Sequence, residues 1–155
     1  MRSFMLVMTI LSGWATLMAT PPGGVATAQS APQKIVTAAQ VNGTWQRKDG
    51  SAFKILALGR QRLRVSFDGI YEYRLPDGAP TANIGVGEGV AFIEGDTATF
   101  NPMGGEDLDC KIRMRFAKGK LIVTQEGVCG FGHNVTAAGV YRRVSAAKPK
   151  FDPVP

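Results

Sequence analysis

Residues 126–135, EGVCGFGHNV, hold Cys129, one of two cysteines in the chain, and His133, its only histidine, with Asn134 directly after. Such a set is open to three chemistries: metal ligation, nucleophilic or acid–base catalysis, and a disulfide that pins a loop. Metal binding needs several ligands at matched spacing, and the chain has neither a second histidine nor a spare thiol. No serine stands in a G-x-S-x-G context, and a bonded cysteine cannot act as a nucleophile. Gly130 and Gly132 permit backbone angles that other residues avoid, so Phe131 can turn inward while the chain reverses. The stretch therefore reads as a structural corner. Its sharper reading is an interaction loop presenting Phe131, His133 and Asn134 to a partner. No catalytic residue, metal or cofactor is expected, and the protein is not expected to be an enzyme.

Two other stretches resemble chemistry at first sight. GGEDLDC (104–110) gathers Glu106, Asp107 and Asp109 but lacks the D-x-D-x-D-G spacing of a calcium loop. GVGEGV (85–90) has the glycines of a phosphate loop, but no lysine follows and no helix opens there, so it reads as a strand bend or hairpin.

The elements that position these residues are short strands. RLRVSF (62–67) alternates, with Leu63, Val65 and Phe67 inward and Arg62, Arg64 and Ser66 outward, the period of a half-buried strand. AFKILAL (52–58) puts Phe53, Ile55 and Ala57 on one face. Further strands are expected at 70–75, 82–87, 89–94, 96–100, 110–116, 121–126 and 139–144. Asp68-Gly69, Gly95-Asp96 and Lys118-Gly119 offer the positive-φ glycine of tight hairpins. No amphipathic helix of useful length is apparent beyond one turn starting near Thr37. The fold class is all-β: a single antiparallel meander of about eight to ten strands, expected to close as a lipocalin-like barrel rather than fold as a sandwich. Closure also removes strand edges that would otherwise invite aggregation.

In CKIRMRFAKGKLIVTQEGVC, folding about Lys118-Gly119 brings Cys110 and Cys129 nearly opposite each other on the core side. A disulfide between them is expected in an oxidising compartment. Outward Arg62, Arg64, Lys111, Arg113 and Arg115 would form a basic stripe if their strands align; the simpler reading is a soluble strand face.

The compartment is read from the start of the chain. Arg2 is the only charge before Lys34, an apolar run spans Phe4 to Met18, and Ala26-Thr27-Ala28 supplies an A-x-A triplet. That is the pattern of a cleavable secretory signal. The run is short for a membrane span, which needs roughly 20 residues. Cleavage is expected between Ala28 and Gln29, with a cut near Ala19 as the alternative. The expected organisation is a signal peptide (1–28), a flexible arm (29–40), a barrel domain (41–146) and a C-terminal tail (147–155), with no transmembrane segment after cleavage. Removing 28 of the 155 residues leaves 127, enough for one core, and lowers the formal charge from +6 to about +5. That balance suits an anionic surface and is weak ground for nucleic acid.

Asn42-Gly43-Thr44-Trp45 resembles the G-x-W opening of lipocalins and related calycin barrels. The resemblance implies that Trp45 closes the barrel floor against an arginine of the last strand, Arg142 or Arg143. The C-terminal half, with CGFGHNVTAAGVYRRV and then KPKFD, is similar to a set of small exported bacterial β-barrel proteins of unassigned function, which carry a cysteine pair and a C-G-F-G-x-N-V…G-x-Y ending. That similarity implies a periplasmic or secreted location in a bacterial envelope. The expected function is binding of a small apolar or amphipathic ligand; the alternative is an interaction or inhibitor module acting on an envelope protein through the 129–135 loop.

Overall fold

The structure is a computed structural model and describes residues 35–102 and 109–151. The expected signal peptide, most of the arm, Glu106, Asp107 and the last four residues lie outside the described residues. The order of elements is α1 (Ala38–Val41), β1 (Gly43–Gln46), β2 (Ala52–Gly59), β3 (Arg62–Arg74), β4 (Pro80–Glu94), β5 (Thr97–Phe100), β6 (Lys111–Ala117), β7 (Lys120–Glu126) and β8 (Gly139–Ser145). Each strand pairs antiparallel with the next, and β8 returns to β1, so the eight strands form one closed meander barrel. β2, β3, β6 and β7 send most of their apolar set inward and their polar set out. β4 instead turns glycines inward and Ile84, Val86, Val90 and Phe92 outward, and Val140 and Val144 of β8 also face out.

The interior is filled by the protein's own side chains. Phe53 and Ile55 of β2, Val65 and Phe67 of β3, Phe100 of β5, Ile112 and Met114 of β6 and Tyr141 of β8 are fully buried. Their rings interlock: Phe53 lies 4.8 Å from Phe67 and 5.0 Å from Tyr141 between centroids. Such edge and offset contacts add to the burial of apolar area.

Two sequence expectations change. Asp68-Gly69 does not turn; it lies inside β3, where Gly69 is buried against Phe67 and opposite Gly85. GVGEGV is neither bend nor hairpin, because β4 runs unbroken through it. β3 and β4 thus form one long ladder from Arg62↔Phe92 to Arg74↔Pro80 that outreaches their other neighbours, and the chain reverses at Pro76-Asp77-Gly78. The β2–β3 turn falls at Arg60 and Gln61, which take positive φ of 50° and 58° without a glycine at either position. The Lys118-Gly119 hairpin forms as read, with both residues at positive φ.

The topology gives the barrel two unlike ends. One carries α1 and the β2–β3, β4–β5 and β6–β7 turns. The other carries the β1–β2 turn, the projecting β3–β4 hairpin, the β5–β6 loop and the β7–β8 loop with CGFGHNV.

Candidate functional site

At the far end, Cys110 and Cys129 form a disulfide across the mouth of the β6–β7 hairpin, with 4.7 Å between their Cα atoms. The ladder closes at Lys111↔Glu126, and Gly127, at positive φ, begins the loop that delivers Cys129 inward. The loop then plugs the barrel. Phe131 packs 4.9 Å from Phe67, and Val135 is buried beside it. What admits them is a row of inward glycines on β3 and β4. A Cβ on Gly85 would lie 2.8 Å from the Phe131 Cβ, and one on Gly87 would lie 2.5 Å from the Pro102 Cβ. The small residues of ANIGVGEGVA make room on this wall, and the protein's own chain occupies it.

Of the three proposed loop residues, Phe131 is thus a half-buried plug, while His133 and Asn134 are exposed. Asn134 takes φ 63°, which asparagine tolerates better than most residues. The Asn83 amide donates to the His133 carbonyl at 2.7 Å, tying loop to hairpin. Arg47 adds a second tie. It donates to the carbonyls of Ala138 and Thr136, pairs with Asp49 at 2.6 Å and lies over the Tyr141 ring at 5.5 Å. This hydrogen bond from Arg47, more than any other interaction, holds the Asp49 carboxyl below its ordinary pKa, with partial burial opposing. Burial raises Tyr141 well above the usual phenol value, and its hydroxyl donates to the Ala137 carbonyl at 2.8 Å. The Arg47 latch was not read from sequence; a backbone carbonyl eighty-nine residues away leaves no local signal.

At the α1 end, Trp45 is buried and its indole N–H donates to the Val41 carbonyl at 3.0 Å. Arg143 reaches over the indole, 5.6 Å from its centroid, and donates to the carbonyls of Ala39 and Asn42. Arg142 takes no part: inward Tyr141 and Arg143 leave it on the outer face, where it is exposed. The Asn42 side chain accepts from the Ala57 N–H at 2.6 Å, fixing the end of α1 on β2.

Beside α1 opens a cleft of about 600 Å³. Its floor is Val41, Leu63, Ala57 and Ile93; its lip is Ile35, Val36 and Ala38; Gln61, Arg62 and Glu94 stand on the rim. Ile35 is 80% exposed on that lip. The size falls in the range of small-molecule sites, and an apolar floor with few polar rim groups is their usual composition.

The basic stripe does not form as one surface, because β4 and β5 separate β3 from β6. Arg64 pairs with Glu88 and covers the Phe151 ring, while Arg113 pairs with Glu126. Asp109 is exposed. Among the described residues no three of His, Cys, Asp and Glu gather in a way that would hold a metal ion, and no helix is long and apolar enough to cross a membrane.

Fold and sites define a small, disulfide-pinned, closed eight-stranded meander barrel. Comparison with protein-family models, curated proteins and solved structures gives no match.

Proposed function

We propose that this is an exported, non-catalytic binding protein of the bacterial envelope that holds a small apolar or amphipathic ligand in the α1-end cleft. The observation that carries this reading is the contrast between a barrel interior packed with aromatic and aliphatic side chains and an apolar cleft left open at its rim. The ligand therefore sits at the mouth and not in the barrel. Its apolar part covers Leu63 and Ile93, and its polar part meets Arg62, Gln61 or Glu94. Native mass spectrometry of protein recovered from an exporting host tests this. A co-purified mass that leaves on denaturation, and is lost when Ala38→Trp fills the cleft, supports it. A bare chain that also fails to take up medium-chain fatty acids or alcohols contradicts it.

A second reading has its own observation. His133 and Asn134 are exposed on a loop held by the disulfide, the Asn83 bond and the Phe131 plug, and a rigid loop loses little entropy on docking. In that reading the loop contacts an envelope protein, and His133→Ala abolishes capture of that partner without altering the fold.

A further inference from the structure

Three cross-strand ion pairs mark the outer face among the described residues: Lys54 meets Asp68 at 3.9 Å, Arg64 meets Glu88 at 3.7 Å and Arg113 meets Glu126 at 3.4 Å. One corner shows the opposite arrangement. Lys120 of β7 stands directly opposite Arg142 of β8 in the ladder, like charge facing like charge. Directly opposed like charges destabilise a sheet. Neither residue has an ion pair among the described residues, and neither have Lys118 in the adjoining turn or Arg143 on the neighbouring inner position.

Lys118, Lys120 and Arg143 border a second cleft, of about 250 Å³, between α1 and the β6–β7 turn, with Arg142 next to them on the outer face. Trp45 and Phe116 form its floor, Lys118 and Lys120 one wall, and Gln40 and Arg143 the other. Arg143 spends its bonds on neutral carbonyls, so its charge stays uncompensated, and its Nε is buried without a partner. An aromatic floor keeps one side of the cleft low in dielectric, which strengthens the field of the cations above it.

We infer that this cleft binds a phosphate-type anion, held by Lys118 and Lys120 with Arg142 and Arg143 supplying further positive field. Ammonium groups act on such an anion as mobile point charges, and two of them can each meet a different oxygen of one tetrahedral phosphate. The anion also relieves the repulsion between Lys120 and Arg142. The chemistry is common to free phosphate and to a phosphate headgroup at a lipid surface.

The test is a titration of the full chain with inorganic phosphate, at fixed pH and fixed ionic strength, followed by amide and indole N–H shifts. A parallel arm sediments the protein with vesicles of phosphatidylglycerol or of phosphatidylcholine. The expected result is a saturable shift at residues 117–120 and at the Trp45 indole. Lys118→Asn with Lys120→Gln should weaken it by about tenfold, the loss expected when charge-assisted contacts are removed. Lys148→Gln with Lys150→Gln, in the tail, should leave it unchanged. Co-sedimentation with phosphatidylglycerol that phosphate reverses identifies the headgroup as the source. A phosphate shift without co-sedimentation identifies the free anion or its soluble esters. Absence of a saturable phosphate shift, with or without vesicle binding, overturns the site, as does an equal response in the cleft and tail variants.

Discussion

Arg143 covers the Trp45 indole at 5.6 Å while donating to the carbonyls of Ala39 and Asn42. One side chain of the last strand thereby fastens the first strand and the helical turn before it. The same turn forms one wall of each cleft at this end, so the fastening of α1 and the shape of the proposed binding surfaces are one matter.

Arg143→Ala should lower unfolding free energy by about 1–3 kcal/mol, since it removes charge-assisted bonds and uncovers a buried ring. Arg143→Lys should recover little of this, because an ammonium cannot stack flat on the indole. Denaturant unfolding with the indole N–H shift as a second readout checks both.

Gly85→Ala should destabilise by about 1–3 kcal/mol, the cost of overpacking, because its new methyl meets Phe131 and Val135. Phe131→Ala opens a void at the same place. The double variant should cost less than the two single changes together, and a double-mutant cycle measures that coupling.

Replacing both cysteines by alanine should cost about 3 kcal/mol, the chain-entropy value for a bridge spanning 19 residues. Hydrogen exchange should show the loss concentrated in residues 127–137, where the bridge anchors the plug. Thiol labelling of the unreduced, unfolded wild-type chain should find no free cysteine.

The Arg47–Asp49 latch gives a pH dependence of defined sign. A carboxyl whose folded pKa is lowered stabilises the protein above its ordinary pKa near 4, and that stabilisation is lost as pH falls through the folded value. Stability should therefore fall on acidification from about pH 5 toward about pH 2, and Asp49→Asn should flatten part of that limb. Asp49 is substantially exposed, so the effect is modest. Urea midpoints across the range check it.

Arg142→Glu places an opposite charge against Lys120 and should stabilise the barrel by about 0.2–1 kcal/mol at low salt. The gain should fade as salt is raised, because the pair is exposed. Thermal unfolding at two ionic strengths measures it.

Much of the barrel was legible because alternation is local. Leu63, Val65 and Phe67, or Cys110, Ile112, Met114 and Phe116, declare their face without knowledge of any neighbour. Gly69 misled for a physical reason. A glycine after aspartate marks a turn when it supplies positive φ, but here it serves as a place without a Cβ, against which Phe67 and Val135 pack. Gly85 and Gly87 do the same for Phe131 and Pro102, and that role depends on residues of two loops, 46 and 15 positions further along the chain (131 − 85 and 102 − 87). The turn at Arg60-Gln61 fell in the break left between the expected strands 52–58 and 62–67, just after Gly59 at positive φ. The disulfide followed from strand parity and compartment together. The α1-end cleft was not legible, because it is bounded by residues from α1, β2, β3 and β4 that meet only when the barrel closes.

The most direct measurement of the central claim is a methyl-resolved NMR titration of the protein with a medium-chain fatty acid. The account predicts saturable shifts at Ile35, Val36, Val41, Leu63 and Ile93, with Val65, Ile112 and Val123 in the packed interior unmoved. Shifts centred on Ile112 and Val123, or no saturable shift at the cleft, would contradict it.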